Sequence, residues 1–462
     1  YMATLHRSAS QPHGIIYLKG SVESIVARCR DALDNSGDCI PLDQNLIDQQ
    51  VQEMANRGLR VLAFARKIPK DSTSSVDHAD VTEGLTFLGL QAMMDPPRQE
   101  AINAVRACQQ AGIHVKMITG DHVVTAAAIA HQIGLDGTER DKLEDFAIDG
   151  RAQAKLSDQD LVEVAGKIAV FARVSPEQKL RLVEALQAHG HVVAMTGDGV
   201  NDAPALKQAD IGVAMGMGGT EVAKEASDMV LTDDNFSTIE AAVEEGRAVF
   251  DNLVKFITWT LPTNVGEGMV ILLAVFLGVA LPITPVQILW INMTTAVLLG
   301  LMLAFEGKEP GIMARPPRRP ETPVITRELA LRIGLVSIML VAGAFGLFQW
   351  ALLQGQSLDI ARTVAVNMFV FGELFYLFNC RSLRYSMFQL GVFTNRWLIL
   401  GVTVMVGLQL LLTYTPTMNL LFGTAPIGLV EWSWILGGGL TIYSVVGIEK
   451  WLRRQADMVV TD

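Results

Sequence analysis

The sequence predicts an α/β domain in the first half of the chain and an all-α, polytopic membrane domain of six helices in the second half. Up to about residue 235, short apolar runs alternate with helix-like segments, as in parallel sheets covered by helices. Six later apolar stretches are long enough to span a bilayer. The chain of 462 residues is 50% hydrophobic and 18% charged, which is too apolar for an ordinary soluble enzyme and too charged for a wholly membrane-embedded protein.

Charge and cysteine content exclude some classes of protein. The net charge of −11 argues against nucleic acid as a partner. The four cysteines show no metal-site spacing, so we expect them to be reduced and structural. No signal peptide opens the chain, and Tyr1 is not an initiator methionine, so we expect a fragment or a processed chain.

The first 90 or so residues mix short apolar runs with polar loops. We predict a strand at Ile15–Leu18 that ends at Lys19, and another at Leu59–Ala65 that contains Arg60. The polar segment Pro69–Asp80 is predicted to be a loop. Taken alone, Lys19 and Arg60 are more typical of solvated surface charges than of ligand contacts.

The next segment predicts a parallel sheet whose strands end in polar side chains. Gly112–Ile118 leads into Thr119-Gly120-Asp121, and Val192–Met195 leads into Thr196-Gly197-Asp198-Gly199-Val200-Asn201-Asp202. Ser175 and Pro176 open a helix that carries Lys179. The remaining predicted elements are strands at residues 168–171, 211–215 and 229–232 and helices at residues 123–133, 203–208 and 221–226.

These strand ends predict a pocket for phosphate and magnesium. Ligands bind beyond the carboxyl ends of parallel strands, where carboxylates suit Mg²⁺ and one ammonium suits phosphate. The predicted pocket residues are Thr119, Gly120, Asp121, Lys179, Asp198, Asn201 and Asp202. The alternative for an isolated Asp-Gly is an ordinary surface turn. A nucleophile for phosphoryl transfer is missing from this set.

The membrane domain is predicted from its apolar stretches and its basic loops. A helix from Ser237 to Trp259 runs into the first stretch. The six spans are predicted at about residues 251–281, 284–304, 329–353, 361–379, 397–415 and 431–449. Lysines and arginines concentrate in the loops after spans two, four and six, which predicts that these loops and the first half of the chain are cytoplasmic.

Polar residues inside the spans are candidates for a transport site. Glu267 and Glu373 are acids within apolar segments, and intramembrane acids are functional candidates because they are costly. Asn264 lies one turn before Glu267, shortly after Pro262, which frees backbone carbonyl groups. Asn292, Thr294 and Thr295 lie in span two, where hydrogen bonding between helices is an equally good explanation.

The chain resembles the C-terminal half of a P-type cation-transporting ATPase of the calcium-pump and sodium-pump class. Four motifs carry the resemblance: Lys19-Gly20-Ser21, Asp95-Pro96-Pro97-Arg98, Thr119-Gly120-Asp121 and Thr196–Asp202. It implies the later part of a nucleotide-binding domain at 1–88, a haloacid dehalogenase-like, Rossmannoid phosphorylation domain at 89–245, and a transmembrane domain at 246–462.

The resemblance also implies roles for individual residues. ATP and Mg²⁺ would be the cofactors, with ATP contacted by Lys19, Arg60 and Arg173 and Mg²⁺ bound by Asp198 and Asp202. Asn264, Glu267, Asn292, Thr295 and Glu373 match ion-ligand positions of calcium pumps. The implied partners are the transported cation, the lipid bilayer and a missing N-terminal half of the pump, and we expect the bilayer to be the plasma membrane.

Two departures from the family pattern leave alternatives open. Calcium pumps have an aspartate shared by two calcium sites where this chain has Ala296, so we expect at most one Ca²⁺, or else Na⁺ or H⁺. Oxygen ligands argue against Cu⁺ or Zn²⁺. The phosphorylated Asp-Lys-Thr-Gly is absent, and Asp141-Lys142-Leu143 is only a charged loop or helix. A membrane-tethered phosphatase or a regulatory pseudo-pump therefore remains a second hypothesis.

Overall fold

The computed structural model describes residues 1–8, 11–69, 75–93, 96–135 and 146–461. The chain forms two compact units. The first contains Tyr1–Ala241 and Met313–Pro317, and the second contains Ala242–Ile312 and Arg318–Asp462. Asp95 and the segment 141–143 lie outside the described residues, as do residues 70–74 of the predicted loop at 69–80. The described end of that loop contains a short 3-10 helix at His78–Val81. The predicted boundary at residues 88/89 stays a prediction.

The first unit begins with a six-stranded sheet. Its order is β1-β2-β5-β6-β3-β4, and all neighbours are antiparallel except β3 and β6. The strands are β1 (Met2–Ser8), β2 (Gln11–Gly20), β3 (Cys29–Leu33), β4 (Cys39–Pro41), β5 (Arg60–Lys67) and β6 (Leu85–Met93). Helices α1 (Val22–Val26) and α2 (Gln44–Asn56) accompany it. Buried residues alternate along β2 and β5, where Ile16 and Leu18 and then Ala63 and Ala65 form the core.

Two parallel three-stranded sheets follow, where the sequence predicted one. Their orders are β7-β9-β8 and β10-β11-β12. The strands are β7 (Met117–Thr119), β8 (Ala147–Asp149), β9 (Val170–Ala172), β10 (Ala194–Gly197), β11 (Ile211–Met215) and β12 (Met229–Leu231). The helices are α3 (Gln99–Gln110), α4 (Val123–Ile133), α5 (Gly150–Gln153), α6 (Asp158–Lys167), α7 (Pro176–Ala188), α8 (Ala203–Gln208) and α9 (Glu221–Ala226). Ile118 and Leu186 pack against apolar clusters of both sheets.

The two strands that lead to the predicted pocket begin later than the apolar pattern suggests. The first was predicted at 112–118 and occupies Met117–Thr119; the second was predicted at 192–195 and occupies Ala194–Gly197. The preceding residue Val193 is buried, but its N–H donates to the Asp210 carboxylate at 2.7 Å instead of to a strand.

The second unit contains six helices that are long and apolar enough to cross a membrane. They are α10 (Phe236–Leu277), α11 (Pro285–Thr295) with its continuation to Phe305, α12 (Arg327–Leu353), α13 (Leu358–Cys380), α15 (Arg396–Tyr414) and α17 (Leu429–Thr461). The short helices α14 (Met387–Leu390) and α16 (Pro416–Phe422) lie between them. The first span was predicted to reach residue 281, but Gly278 ends α10 with φ +65°.

Helix α13 forms the centre of the second unit. In the most apolar 18-residue segment of α13, 83% of the segment is buried inside the protein, whereas the buried share of the corresponding segment in each of the other five spans is 22–39%. Its sequence explains this position, because it places small and apolar residues on all faces of the helix. The polar side chains Thr363, Asn367, Glu373 and Asn379 of α13 are therefore buried within the protein.

A buried ion pair between Arg381 and Glu306 fixes the end of α13. Arg381 is fully buried, and its Nη2 lies 2.7 Å from Glu306 Oε1. All five N–H donors of this guanidinium have acceptors: the Glu306 carboxylate, the Thr394 hydroxyl and the carbonyl oxygens of Gly391 and Val392. The desolvated charge is therefore compensated by its neighbours.

Glu306 connects this arginine to two further helices. Its Oε2 accepts a hydrogen bond from Asn395 Nδ2 at 3.0 Å, next to the start of α15. Its backbone carbonyl accepts one from Asn252 Nδ2 of α10 at 2.8 Å. Through its carboxylate and its backbone carbonyl, Glu306 thus links the segment after span two to Arg381, Asn395 and α10.

We expect Glu306→Gln to destabilise the protein by about 3–5 kcal/mol, because it leaves the buried Arg381 charge without its counter-charge. Thermal unfolding in detergent micelles would measure this effect. Lys308→Met is the matched control, because Lys308 contacts Glu244 at 2.7 Å in a partly exposed pair and its loss should change the melting temperature little. Equal melting temperatures for Glu306→Gln and Lys308→Met would contradict the stabilising role of the Arg381–Glu306 ion pair.

Candidate functional site

The turn after β10 is built around the carboxylate of Asp202. Its Oδ2 accepts hydrogen bonds from the backbone N–H groups of Asp198 at 3.2 Å and Gly199 at 3.1 Å. Its Oδ1 accepts one from Lys179 Nζ at 2.6 Å. Asp202 is only 6% exposed, so both carboxylate oxygens are occupied by protein donors. These contacts fit a residue that positions the turn, whereas its predicted direct binding of Mg²⁺ remains untested.

Gly197 makes this turn possible. A Cβ atom at position 197 would lie 2.5 Å from Asp202 Cβ, which no side chain could accommodate without moving the backbone. Gly197 is therefore required for the close approach of Asp202. Because Gly197 has no side chain, Asp202 can fold back over the end of β10.

The pKa of Asp202 reflects two opposing effects. Burial alone would raise the pKa of this carboxyl, but the hydrogen bonds from Lys179 and from the N–H groups of Gly199 and Asp198 lower it below its ordinary value. The carboxyl is therefore ionised at neutral pH. Its negative charge in turn holds the Lys179 ammonium at the end of the sheet.

Asp198 is presented in a different way. The residue is exposed, and its backbone carbonyl accepts a hydrogen bond from Thr220 N–H at 2.8 Å, which leaves the side chain to project from a fixed backbone. Asn201 beside it is also exposed. Among the described residues, no three His, Cys, Asp or Glu side chains form a group that could hold a metal ion. An exposed carboxylate fits Mg²⁺ that takes its other ligands from water and phosphate.

The Thr119-Gly120-Asp121 turn follows β7 at the same end of a strand. Thr119 Oγ1 accepts a hydrogen bond from Asp121 N–H at 3.1 Å. Arg60 Nε lies 4.0 Å from Asp121 Oδ1, but the Arg60 side chain is 70% exposed, so this ion pair contributes little. Gly120 is exposed. The turn leaves polar groups available at the edge of the sheet.

The other two predicted nucleotide contacts are also at the surface. Lys19 is exposed near the end of β2, opposite Phe64 of β5. Arg173 directly follows β9 in the left-handed region, with φ +52°, and its Nη2 donates to Glu23 Oε1 at 3.2 Å. A positive φ in arginine is uncommon and marks a constrained site. Their predicted contacts with ATP remain predictions.

Asp234 is a residue that the sequence analysis missed. Its carboxylate accepts hydrogen bonds from the N–H groups of Gly216 at 2.7 Å, Met217 at 3.0 Å and Gly218 at 2.7 Å. These bonds lower the pKa of Asp234 and hold the loop after β11, which leads to Thr220. The glycine-rich loop and an aspartate after the next strand were visible in the sequence, but their pairing was not.

In the second unit, four of the five predicted ion ligands lie together. Asn292 Nδ2 donates to Glu267 Oε2 at 2.8 Å. Glu373 of α13 is buried beside Thr295 and is close enough to Glu267 for their charges to repel. Glu267 Oε1 and Glu373 Oε2 are buried and have no hydrogen-bond partner among the described residues. Two carboxylate oxygens are therefore left for a ligand.

The remaining ion-site predictions have different outcomes. Asn264 is exposed, so the described contacts do not join it to Glu267. Thr295 Oγ1 donates to the Ile291 carbonyl at 2.9 Å within its own helix. Directly after Thr295, the helix changes to a π-helical turn at Ala296–Gly300. Such turns often occur at functional sites, and this one begins at the position where the family carboxylate is missing.

We expect Asp202→Asn to destabilise the first unit by about 1–3 kcal/mol at pH 7, because it removes the charge that Lys179 and the turn require. The wild-type pKa is lowered, so this stability is present above the unfolded-state pKa and is lost as the pH falls through the folded-state pKa. Thermal unfolding between pH 7 and about pH 3 would therefore show the melting temperatures of the wild type and of Asp202→Asn converging as the pH falls. Asp158→Asn, at a side chain that is 90% exposed, is the control with little expected change. If the difference in melting temperature between the wild type and Asp202→Asn did not change with pH, the stabilising role of the Asp202 charge would be contradicted.

Three family models match the chain. The C-terminus of cation transporting ATPases matches residues 280–452, the cytoplasmic domain N of P-type ATPases matches residues 1–100, and haloacid dehalogenase-like hydrolases match residues 179–242. These matches cover parts of both units.

Curated relatives match almost the whole chain. It is 56% identical over 455 residues to the probable cation-transporting ATPase F of Mycobacterium tuberculosis, covering 98% of this chain and 50% of the relative. It is 50% identical to the cation-transporting ATPase pma1 of Synechocystis, covering 94% and 48%. It is 42% identical to a calcium-transporting ATPase of Bacillus subtilis, covering 84% and 43%. The chain spans about half the length of these relatives. The motifs and these matches together show that the chain belongs to the P-type cation-transporting ATPase family and corresponds to the C-terminal half of its members.

Proposed function

We propose that this chain is part of an ATP-driven pump for a small hard cation, which works through an aspartyl-phosphate intermediate. The observation that carries the proposal is the pair of acids in the second unit. Among the described residues, neither Glu267 Oε1 nor Glu373 Oε2 has a hydrogen-bond partner, although both atoms are buried. Since an uncompensated charge is costly inside a membrane, a bound cation would satisfy both oxygens.

The first unit supplies the groups that phosphoryl transfer needs. We assign Mg²⁺ binding to Asp198, where the ion would neutralise charge on the transferring phosphoryl group. Lys179, held by Asp202, provides a fixed positive charge, and Thr119 provides a hydroxyl group. Lys19, Arg60 and Arg173 are assigned to ATP binding. Asn201 and Asp202 support the turn that presents Asp198.

The transported ion is assigned by its chemistry. Carboxylate and amide oxygens at Glu267, Glu373 and Asn292 favour a hard cation. The relative from Bacillus subtilis is named a calcium-transporting ATPase, which supports Ca²⁺. Ala296 removes the carboxylate that would be shared by two calcium ions, so we propose at most one Ca²⁺ site, with Na⁺ or H⁺ as the alternative ion.

We further propose that the six spans lie in the plasma membrane with the first unit in the cytoplasm. The basic loops after spans two, four and six support this orientation. The receiving aspartate and the remaining spans would come from an N-terminal half, because the relatives are about twice as long as this chain.

The second candidate function is a non-pumping phosphatase or a regulatory pseudo-pump. Only the missing Asp-Lys-Thr-Gly favours it. The coding region upstream of Tyr1 discriminates between the two. An Asp-Lys-Thr-Gly encoded there in the same reading frame would support the pump, and its absence there and in neighbouring genes would support the second candidate.

We expect Asp198→Asn to abolish phosphoenzyme formation from ATP in the full-length pump, because the exposed carboxylate that binds Mg²⁺ is lost. Acid-quenched labelling with radioactive ATP would measure it. Asp158→Asn replaces a surface aspartate that pairs with Arg181 and should retain normal labelling. Normal labelling of the Asp198 variant would refute the proposed Mg²⁺ site.

Two substitutions test the ion site. We expect Glu267→Gln to weaken cation activation of the ATPase at least tenfold, because one of the two carboxylates is lost. Ala296→Asp should instead raise the apparent affinity for Ca²⁺, because it restores a third acid. ATPase activity against Ca²⁺, Na⁺, K⁺ and pH measures both effects. An ion dependence of Glu267→Gln equal to that of the wild type would exclude this site.

A further inference from the structure

Pro262 interrupts the backbone hydrogen bonds of α10 close to Glu267. Proline has no N–H, so the carbonyl of Thr258, four residues earlier, loses its helical partner. In a membrane-spanning segment such a carbonyl must find another donor, because no water is available. The sequence suggested that carbonyl groups freed here could serve the transported cation.

The structure gives the Thr258 carbonyl a different partner. Tyr376 Oη of α13 donates a hydrogen bond to it at 3.0 Å, and the tyrosine side chain is fully buried. Tyr376 lies one helical turn after Glu373. The hydroxyl therefore replaces the missing helical hydrogen bond with a bond between two different spans.

A second hydrogen bond connects the same two helices. Trp259, next to Thr258, donates from Nε1 to the Glu373 carbonyl at 3.0 Å and is also almost fully buried. Gly300 provides room for this ring, because a Cβ at that position would lie 2.6 Å from Trp259 Cζ3. The two hydrogen bonds thus tie α13 to α10 at Thr258 and Trp259, both about one turn before Pro262.

We propose that Tyr376 and Pro262 form a latch that positions the two acids of the ion site. The latch consists of the gap left by Pro262, the Thr258 carbonyl and the Tyr376 hydroxyl. It sets the position of α13, which carries Glu373, relative to α10, which carries Glu267. It also withdraws the freed carbonyl from the cation, so that carboxylates provide the ligands. Tyr376 is a positioning residue in this scheme, which rests on the proposed pump function.

The latch makes a specific prediction about paired substitutions. Tyr376→Phe removes the donor and leaves the Thr258 carbonyl unsatisfied. Pro262→Ala restores an N–H that can bond to the same carbonyl within α10. In the Pro262→Ala background the tyrosine hydroxyl is therefore no longer needed, and the second substitution should cancel the effect of the first.

In the full-length pump, we expect Tyr376→Phe to raise the half-saturating cation concentration about tenfold with a smaller change in maximal rate, because a buried acceptor loses its partner near the acids. The double variant Pro262→Ala, Tyr376→Phe should return to within about twofold of Pro262→Ala alone. Tyr414→Phe is the matched control: Tyr414 Oη donates to the Ile427 carbonyl at 2.9 Å, and its loss should leave cation activation unchanged.

Each outcome decides the proposal. Unchanged cation activation in Tyr376→Phe, or a loss that Pro262→Ala does not reverse, would overturn the latch. If Tyr376→Phe does not fold, its folding in the Pro262→Ala background supports the latch, and failure in both backgrounds overturns it. If the wild type shows no cation-stimulated ATPase, the pump function fails. The melting temperature then tests the latch: Tyr376→Phe should lower it in the wild-type background but not in the Pro262→Ala background.

Discussion

The second unit depends on one constraint: polar groups buried between apolar helices must find partners within the protein. Arg381 satisfies it through the acceptors around Glu306. Gln409 satisfies it by donating to Asn367 at 3.1 Å and accepting from Trp290 at 3.2 Å. Against this background, the unpartnered oxygens of Glu267 and Glu373 are exceptions that lie beside each other. Among the described residues Thr260 Oγ1 is also unpaired, but it carries no charge, whereas Glu267 and Glu373 bring two unpartnered carboxylate oxygens into one region.

The first unit applies the same principle to a different purpose. The carboxylates of Asp202 and Asp234 accept hydrogen bonds from backbone N–H groups, and Asp202 also accepts one from Lys179. These bonds give the two loops a fixed shape. Asp198 takes part through its backbone, and its side chain stays exposed. Two neighbouring acids thus differ in their surroundings: the Asp202 carboxylate shapes the turn, and the Asp198 carboxylate stays exposed.

Local features of the fold could be predicted from the sequence, whereas features that join distant residues could not. Ser175 caps α7, as the Ser-Pro pattern suggests: its hydroxyl accepts from the Gln178 N–H, and its own N–H donates to the Gln178 side chain. This cap places Lys179 in the first turn of the helix. The six spans were found because length and hydropathy are properties of one segment. The roles of Asp202 and Tyr376 depend on how the chain folds back on itself, and Tyr376 is 118 residues from its acceptor. Pro262 was expected to free backbone carbonyl groups, and only the packing of α13 shows that Tyr376 bonds to the carbonyl of Thr258.

The charge balance of the acids narrows the ions that the site can hold. Two carboxylates are neutralised by one divalent cation, or by one monovalent cation together with a proton. Two Ca²⁺ ions would leave an excess of positive charge in a region of low dielectric constant, where such an imbalance is severe. Asn292 points an amide N–H donor at Glu267, which orients that carboxylate and reduces the positive charge it needs from an ion. The π-helical turn that begins at Ala296 supplies no further acid, so the proposed ion site has only the two carboxylates of Glu267 and Glu373 to balance a cation.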